Sequence, residues 1–245
     1  MIGAKVARNS IIKRSQFCEN DVEILSESSI PSFQRFFAKP YLRKSKMIEF
    51  DKNDMQSFTL LRFHIPFLMN FQGSALVIDP DIFQVKRGIE ELLDFDFNTH
   101  SLYARRGLQK NSWGSSAMLI SCDQLRHWSL DDLIDKLHHG KIDYDDLINL
   151  RLEEQSIGEL DKKWNEFDEI NQNTILLHTT EKITQPWRAG LNLNSSIPPL
   201  LKYIPRAPLY KLFGKDLTLG REHPHEGISN FFFNELAECI ASNII

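Results

Sequence analysis

The 245-residue sequence predicts an α/β fold with a central, mainly parallel sheet and helices on both faces. Three observations carry that expectation. Apolar runs of strand length alternate with helical patterns along the chain. Two of those runs, "ALVID" (75–79) and "TILLH" (174–178), stop at side chains that carry chemistry. The composition, 42% hydrophobic and 25% charged, is that of a folded chain able to bury a sizeable core.

Taken in order, residues 3–15 read as a helix with Val6, Ile11 and Ile12 on its apolar side. "DVEIL" (21–25) and "MIEF" (47–50) read as short strands. In 57–69, Leu60, Phe63, Phe67 and Leu68 recur at helical spacing, and Pro66 makes this helix short or kinked. The strand "ALVID" follows, then a short helix over 89–95 and a buried strand "AMLISC" (117–122). Ser129 with Asp132 resembles a capping pair that opens a helix, and Gly140 ends it. A further helix (144–152) leads to the strand "TILLH". Residues 192–227 are rich in Pro and Gly and read as irregular, and 228–244 as an amphipathic helix. This gives a main domain over 1–191 and an extension over 192–245 packed on it.

A formal charge of −4 argues against an extended grip on nucleic acid. No apolar run approaches the ~20 residues needed to cross a bilayer. The opening "MIGAKVARNSIIKRS" is too broken by charge for a secretory signal. Cys18, Cys122 and Cys239 are few and far apart, which suggests reduced thiols in a cytoplasmic protein and no zinc site. The stretch 200–215 mixes Lys202, Arg206, Lys211 and Lys215 with Tyr203, Tyr210 and Phe213. It reads first as a tail with its lysines in water, and second as a peripheral contact with an anionic membrane or a lipid-linked acceptor. His223, His225 and Glu226 lack partners at metal-ligand spacing and read as loop.

The pair Asp79 and Asp81 ends a buried strand, and adjacent carboxylates repel each other. A divalent cation, Mg²⁺ or Mn²⁺, would make the arrangement worthwhile, and an imidazole ligand would favour Mn²⁺. The alternative is a turn whose carboxylates cap backbone amides. His178 joins the pair only if it faces it; otherwise it is a hydrogen-bonded core histidine.

The motifs "LLRFHIP" (60–66), "GSALVIDPDIF" (73–83), "SWGSSAMLIS" (112–121), "EEQSIGELDKKWN" (153–165) and "TILLHTTEKITQPW" (174–187) occur in that order. The set resembles family 8 of the retaining glycosyltransferases, the glycogenin and bacterial galactosyltransferase type, over residues 5–190. The resemblance implies a GT-A, Rossmann-like fold and transfer of a sugar from a nucleotide-diphosphate donor, a UDP-sugar, with Mn²⁺ or Mg²⁺. The acceptor would be a glycan or lipid-linked glycan. It assigns Asp79, Asp81 and His178 to the metal and Arg62 to the donor. Ser115 and Ser116 fall in a small-residue turn near the sugar, and Glu154 and Gln155 near the reacting centre. Trp164-Asn165 fits the "WN" that follows.

Two departures stand out. The strand with which relatives open is missing, because "MIGAKVARNSI" already matches the helix after it; the start is truncated, lies upstream, or the domain does without that strand. The histidine segment has Gln185 before Pro186 where the family has lysine, so Lys182 or Arg188 would take over the diphosphate contact. Two other functions compete: a GT-A-like binding or scaffold module without catalysis, and a phosphohydrolase of the haloacid dehalogenase type. The last normally has its Asp pair on the first strand followed by threonine, whereas Phe83 stands at that offset here.

Overall fold

The structure, a computed structural model, describes residues 2–50, 57–107, 112–191 and 219–245. The cationic, aromatic stretch 200–215 and most of the expected irregular segment lie outside the described residues.

Helix α1 (Ile2–Arg14) buries Gly3, Val6, Ala7, Ser10 and Ile11, as expected for Val6 and Ile11, whereas Ile12 is only half-buried; the helix closes on Lys13 and Arg14, cations suited to a helix C-terminus. The expected strand over 21–25 is absent. One of its carbonyls is claimed by a side chain: Arg8 donates to Val22 O (2.8 Å) and, just before the segment, to Glu19 O (2.6 Å), and Asp21 accepts from the Cys18 amide. Strands β1 (Tyr41–Arg43) and β2 (Lys46–Ile48) form a hairpin. Its two turn residues, Lys44 and Ser45, have φ of 50° and 59°, and their amides donate to Asp143. The segment around Pro66 divides as expected, into a 3-10 turn (Ser57–His64) and a short helix α2 (Ile65–Leu68).

Strands β3 (Ser74–Ile78) and β4 (Ile82–Gln84) flank the Asp-Pro-Asp turn, and β5 (Leu102–Arg106) and β6 (Trp113–Ser121) follow. Helix α3 (Leu130–His138) starts at Ser129, whose hydroxyl accepts from the Asp132 amide, and Gly140 stops it at φ 65°. Helix α4 (Tyr144–Ile148) is shorter than expected, since Leu150 turns left-handed and a 3-10 helix (Arg151–Ser156) takes over. Strands β7 (Ile157–Glu159), β8 (Glu166–Phe167) and β9 (Leu176–His178) precede the terminal helix α5 (Glu226–Ala241).

The strands make a four-stranded sheet, β3-β6-β5-β7, and a three-stranded sheet, β4-β9-β8, besides the hairpin. Only β5–β7 and β8–β9 are parallel; β3–β6, β5–β6 and β4–β9 are antiparallel. The α/β architecture is the expected one, but the sheet is mixed where a mainly parallel one was expected. Antiparallel connections need no helical crossover, and β4 and β5 enter that way, while the short edge strands β7 and β8 pair in parallel.

One apolar cluster, with Phe33, Phe36, Tyr41, Tyr144 and Leu60, fills one face of the larger sheet, and a second, with Ile82, Leu119, Trp164 and Leu176, the other. A third holds α5 on α1 through Val6, Ala7, Phe83, Phe232 and Cys239. Buried Glu235 of α5 pairs there with Arg14 and Lys13. Among the described residues no helix is long and apolar enough to cross a membrane.

Candidate active site

The Asp79-Pro80-Asp81 turn carries the chain from one sheet to the other. Asp79 ends β3, where its amide donates to Ser116 O (2.8 Å); the Ile82 amide then closes the turn on Asp79 O (3.1 Å) and β4 begins. The register does the rest. Ile82 stands opposite His178 in the β4–β9 ladder, so the residue before β4 meets the last residue of β9. His178 Nε2 lies 3.5 Å from Asp81 Oδ1. The Thr179 amide and hydroxyl both donate to Asp81 O, at 3.1 and 3.2 Å, and lock the two ends together. Helix α1 closes on the same turn: a Cβ at Gly3 would sit 2.8 Å from Pro80 O, so only glycine fits.

Ser115 and Ser116 reach the site through an irregularity in β6. Its pairing with β5 jumps from Ala104–Met118 to Arg105–Gly114, so residues 115–117 bulge out of that ladder. Arg62, 6% exposed, comes up from the 3-10 turn. Its guanidinium pairs with Asp79 Oδ1 and donates to Ser115 Oγ (2.5 Å), which donates in turn to Ile148 O (2.7 Å).

Asn165 was not singled out from the sequence as a site residue, yet it links the two halves. Its amide donates to Ser116 Oγ (3.0 Å), and its Oδ1 accepts from His178 Nδ1 (2.9 Å). So oriented, it leaves the His178 Nε2 lone pair facing Asp81. Asp81 Oδ1 is buried with no hydrogen-bond partner among the described residues. Gln185, also unassigned from the sequence, donates to Asp81 Oδ2 (2.8 Å) and to Thr179 O (3.0 Å). Neither residue type announces chemistry in a sequence; only the "WN" motif and the departure before Pro186 pointed to these positions.

Burial sets the electrostatics. It pushes Asp81 up to about 7, and the neighbouring charge of Asp79 adds to the effect. It pushes His178 down to about 4, so the imidazole is neutral at pH 7. Burial also raises Asp79, against the pull of Arg62. Desolvation lowers Arg188, and the charge of Asp81 opposes that, which puts Arg188 within the field of the carboxylate.

Of the residues expected at the site, Arg62, Asp79, Ser115, Ser116, Asp81 and His178 form one connected group, with Arg188 beside it. Lys182 is exposed, and Glu154 and Gln155 are exposed on the 3-10 helix after α4; none of the three has a described hydrogen bond to the group. Among the described residues no three His, Cys, Asp or Glu side chains already gather as a metal-binding cluster. Asp81 and His178 meet, while Asp79 faces Arg62. A divalent cation fits the partnerless Asp81 Oδ1 and the Nε2 lone pair, an oxygen and nitrogen donor pair suited to Mn²⁺.

No protein-family model and no curated protein matches the chain. Solved structures do. The glycosyltransferase GlyE of Streptococcus pneumoniae TIGR4 aligns at 14% identity and a TM-score of 0.50, over 99% of this chain and 61% of that one. An active-site mutant of LgtC aligns at 12% identity and a TM-score of 0.51, over 82% of this chain and 95% of that one. The chain thus spans about three-fifths of the length of GlyE and nearly the whole of LgtC. At this identity the likeness is one of architecture: the chain has the mixed α/β, GT-A-like fold of these glycosyltransferases.

Proposed function

We propose that the chain is a metal-dependent glycosyltransferase of the retaining, family 8 type, moving a sugar from a nucleotide-diphosphate donor, a UDP-sugar, to a glycan or lipid-linked glycan. The observation that carries this reading is the approach of two lone-pair donors, His178 Nε2 and Asp81 Oδ1, within 3.5 Å in a buried corner at the end of two strands. Once Asp81 is ionised, the carboxylate and the neutral imidazole face each other as two acceptors, and a divalent cation resolves that repulsion.

In this reading Asp81 and His178 hold the cation, with the Asp79 oxygen that Arg62 leaves free as a further ligand. When bound, Mn²⁺ or Mg²⁺ supplies positive charge for the diphosphate leaving group. The chain's own residues prepare that event. Asn165 fixes the imidazole ring and its tautomer. Arg62 keeps Asp79 in place, and Arg188 brings a second guanidinium towards the same corner, suited to a diphosphate oxygen. Ser115 and Ser116, on the bulge, hold Arg62 and Asn165 in place, and the family resemblance would put them near the sugar. Glu154 and Gln155 are exposed and available to sugar hydroxyls and to an oxocarbenium-like centre. The free thiols Cys18, Cys122 and Cys239 support a reducing, cytoplasmic setting.

A thermal-shift screen of nucleoside diphosphates with and without Mn²⁺ tests the reading. A rise in melting temperature with Mn²⁺ that one nucleotide increases further is expected, and donor hydrolysis should vanish in Asp81→Asn while the fold persists. No shift with any nucleotide, or undiminished hydrolysis in that variant, would favour a non-catalytic binding module, which the engagement of Asp79 by Arg62 also suits.

A further inference from the structure

We infer that Gln185 is the positioning residue that presets Asp81 for the cation, an inference that rests on the metal reading above. The side chain is 3% exposed. Its amide nitrogen faces two acceptors, Asp81 Oδ2 at 2.8 Å and Thr179 O at 3.0 Å, so the amide cannot be turned round. Its Oε1 is buried without a hydrogen bond among the described residues. Burying a primary amide and satisfying only one end is unfavourable, and what that arrangement achieves is the orientation of Asp81. With Oδ2 held, the carboxylate turns Oδ1 towards His178 Nε2.

The mount is rigid. The Gln185 backbone N–H donates to Glu181 O (3.1 Å), and the next residue, Pro186, is buried at the start of a 3-10 turn. A neutral donor matters as well. The glutamine N–H fixes the carboxylate and leaves its negative charge for the cation. Gln185 therefore acts through Asp81.

The test is Mn²⁺ alone, titrated into the purified full chain and followed by the loss of the free-ion electron paramagnetic resonance signal. Gln185→Leu and Gln185→Met keep the volume and remove both ends of the amide; the two variants guard against a failure of one to fold, which circular dichroism checks. The expected result is Mn²⁺ uptake by the wild type and affinity weakened tenfold or more in the folded variants, as for removal of an outer-shell partner. Wild-type affinity in both variants, with or without a lower melting temperature, would mean a merely structural role and overturn the inference while leaving the metal reading intact. Failure of the wild type to take up Mn²⁺ would overturn both.

Discussion

An Asp81→Asn variant, unfolded in urea without metal between about pH 4.5 and 7.5, separates two opposed contributions to stability. Asp81 sits at about 7 in the folded protein, against an ordinary 3.8. Folding favours its protonated form, so its contribution is full below 3.8 and is lost as pH rises through about 7. That displacement corresponds to about 4 kcal/mol. His178 runs the other way. At about 4 against an ordinary 6.5 it is held neutral, so its contribution is full above 6.5 and is lost as pH falls through about 4. The loss is about 3 kcal/mol. In the wild type the two slopes oppose each other between these limits, and this corner adds little pH dependence. Asp81→Asn leaves the histidine alone: stability should climb by about 2–3 kcal/mol from pH 4.5 to 6.5 and exceed the wild type at pH 7.5. His178→Gln leaves the carboxyl alone, and stability should fall over the same range. If both variants keep the wild-type profile, the two groups do not hold these protonation states and the electrostatic account of the site is wrong.

Arg62→Met leaves Asp79 buried without its partner and should lower unfolding stability by about 3–5 kcal/mol, and Arg62→Met with Asp79→Asn should recover much of that in the same urea titration. Asn165→Leu removes the acceptor that fixes the His178 tautomer and strands buried polar groups. It should cost about 1–3 kcal/mol of stability and weaken Mn²⁺ binding at least tenfold in a spectroscopic titration. Gly3→Ala would drive a Cβ into Pro80 O and should destabilise by about 1–3 kcal/mol. Gly227→Ala, whose Cβ would meet nothing within 4 Å on α5, should stabilise by about 0.5–1 kcal/mol; equal thermal melts for the two alanine variants would refute the packing of α1 on the turn.

What the sequence made legible were features set by local chemistry. The helix caps at Ser129 and Gly140, the break at Pro66, and the strands that end in Asp79 and His178 all follow from neighbours along the chain. The mixed direction of the sheet was not legible: β3 and β6, both read as strands, pair antiparallel, and β4, β7 and β8 are two or three residues long and show no period of their own. "DVEIL" has strand composition, yet Arg8, more than ten residues away, takes the Val22 carbonyl. The site was half legible for the same reason. Asp79 and Asp81 advertise themselves by charge. Asn165 and Gln185 are neutral amides whose roles exist only once three distant segments meet.

That meeting explains why a cation site can be built here from so little. The Asp-Pro-Asp turn is the seam between two sheets, and each side of the seam fixes one carboxylate. On the larger sheet, Asp79 is held by Arg62 and by the β3–β6 ladder. On the smaller, Asp81 is held by Gln185 and by the β4–β9 ladder that brings His178 opposite. Proline between them shortens the crossing and keeps its φ fixed. Like charges are thus kept close by two ladders that Asn165 ties together, at the expense of a raised carboxyl on one side and a consumed arginine on the other. A site strained in this way gains stability from any ligand that neutralises it. Mn²⁺ should therefore raise the melting temperature more at pH 7.5, where Asp81 is ionised, than at pH 5.5, where a proton already occupies its place.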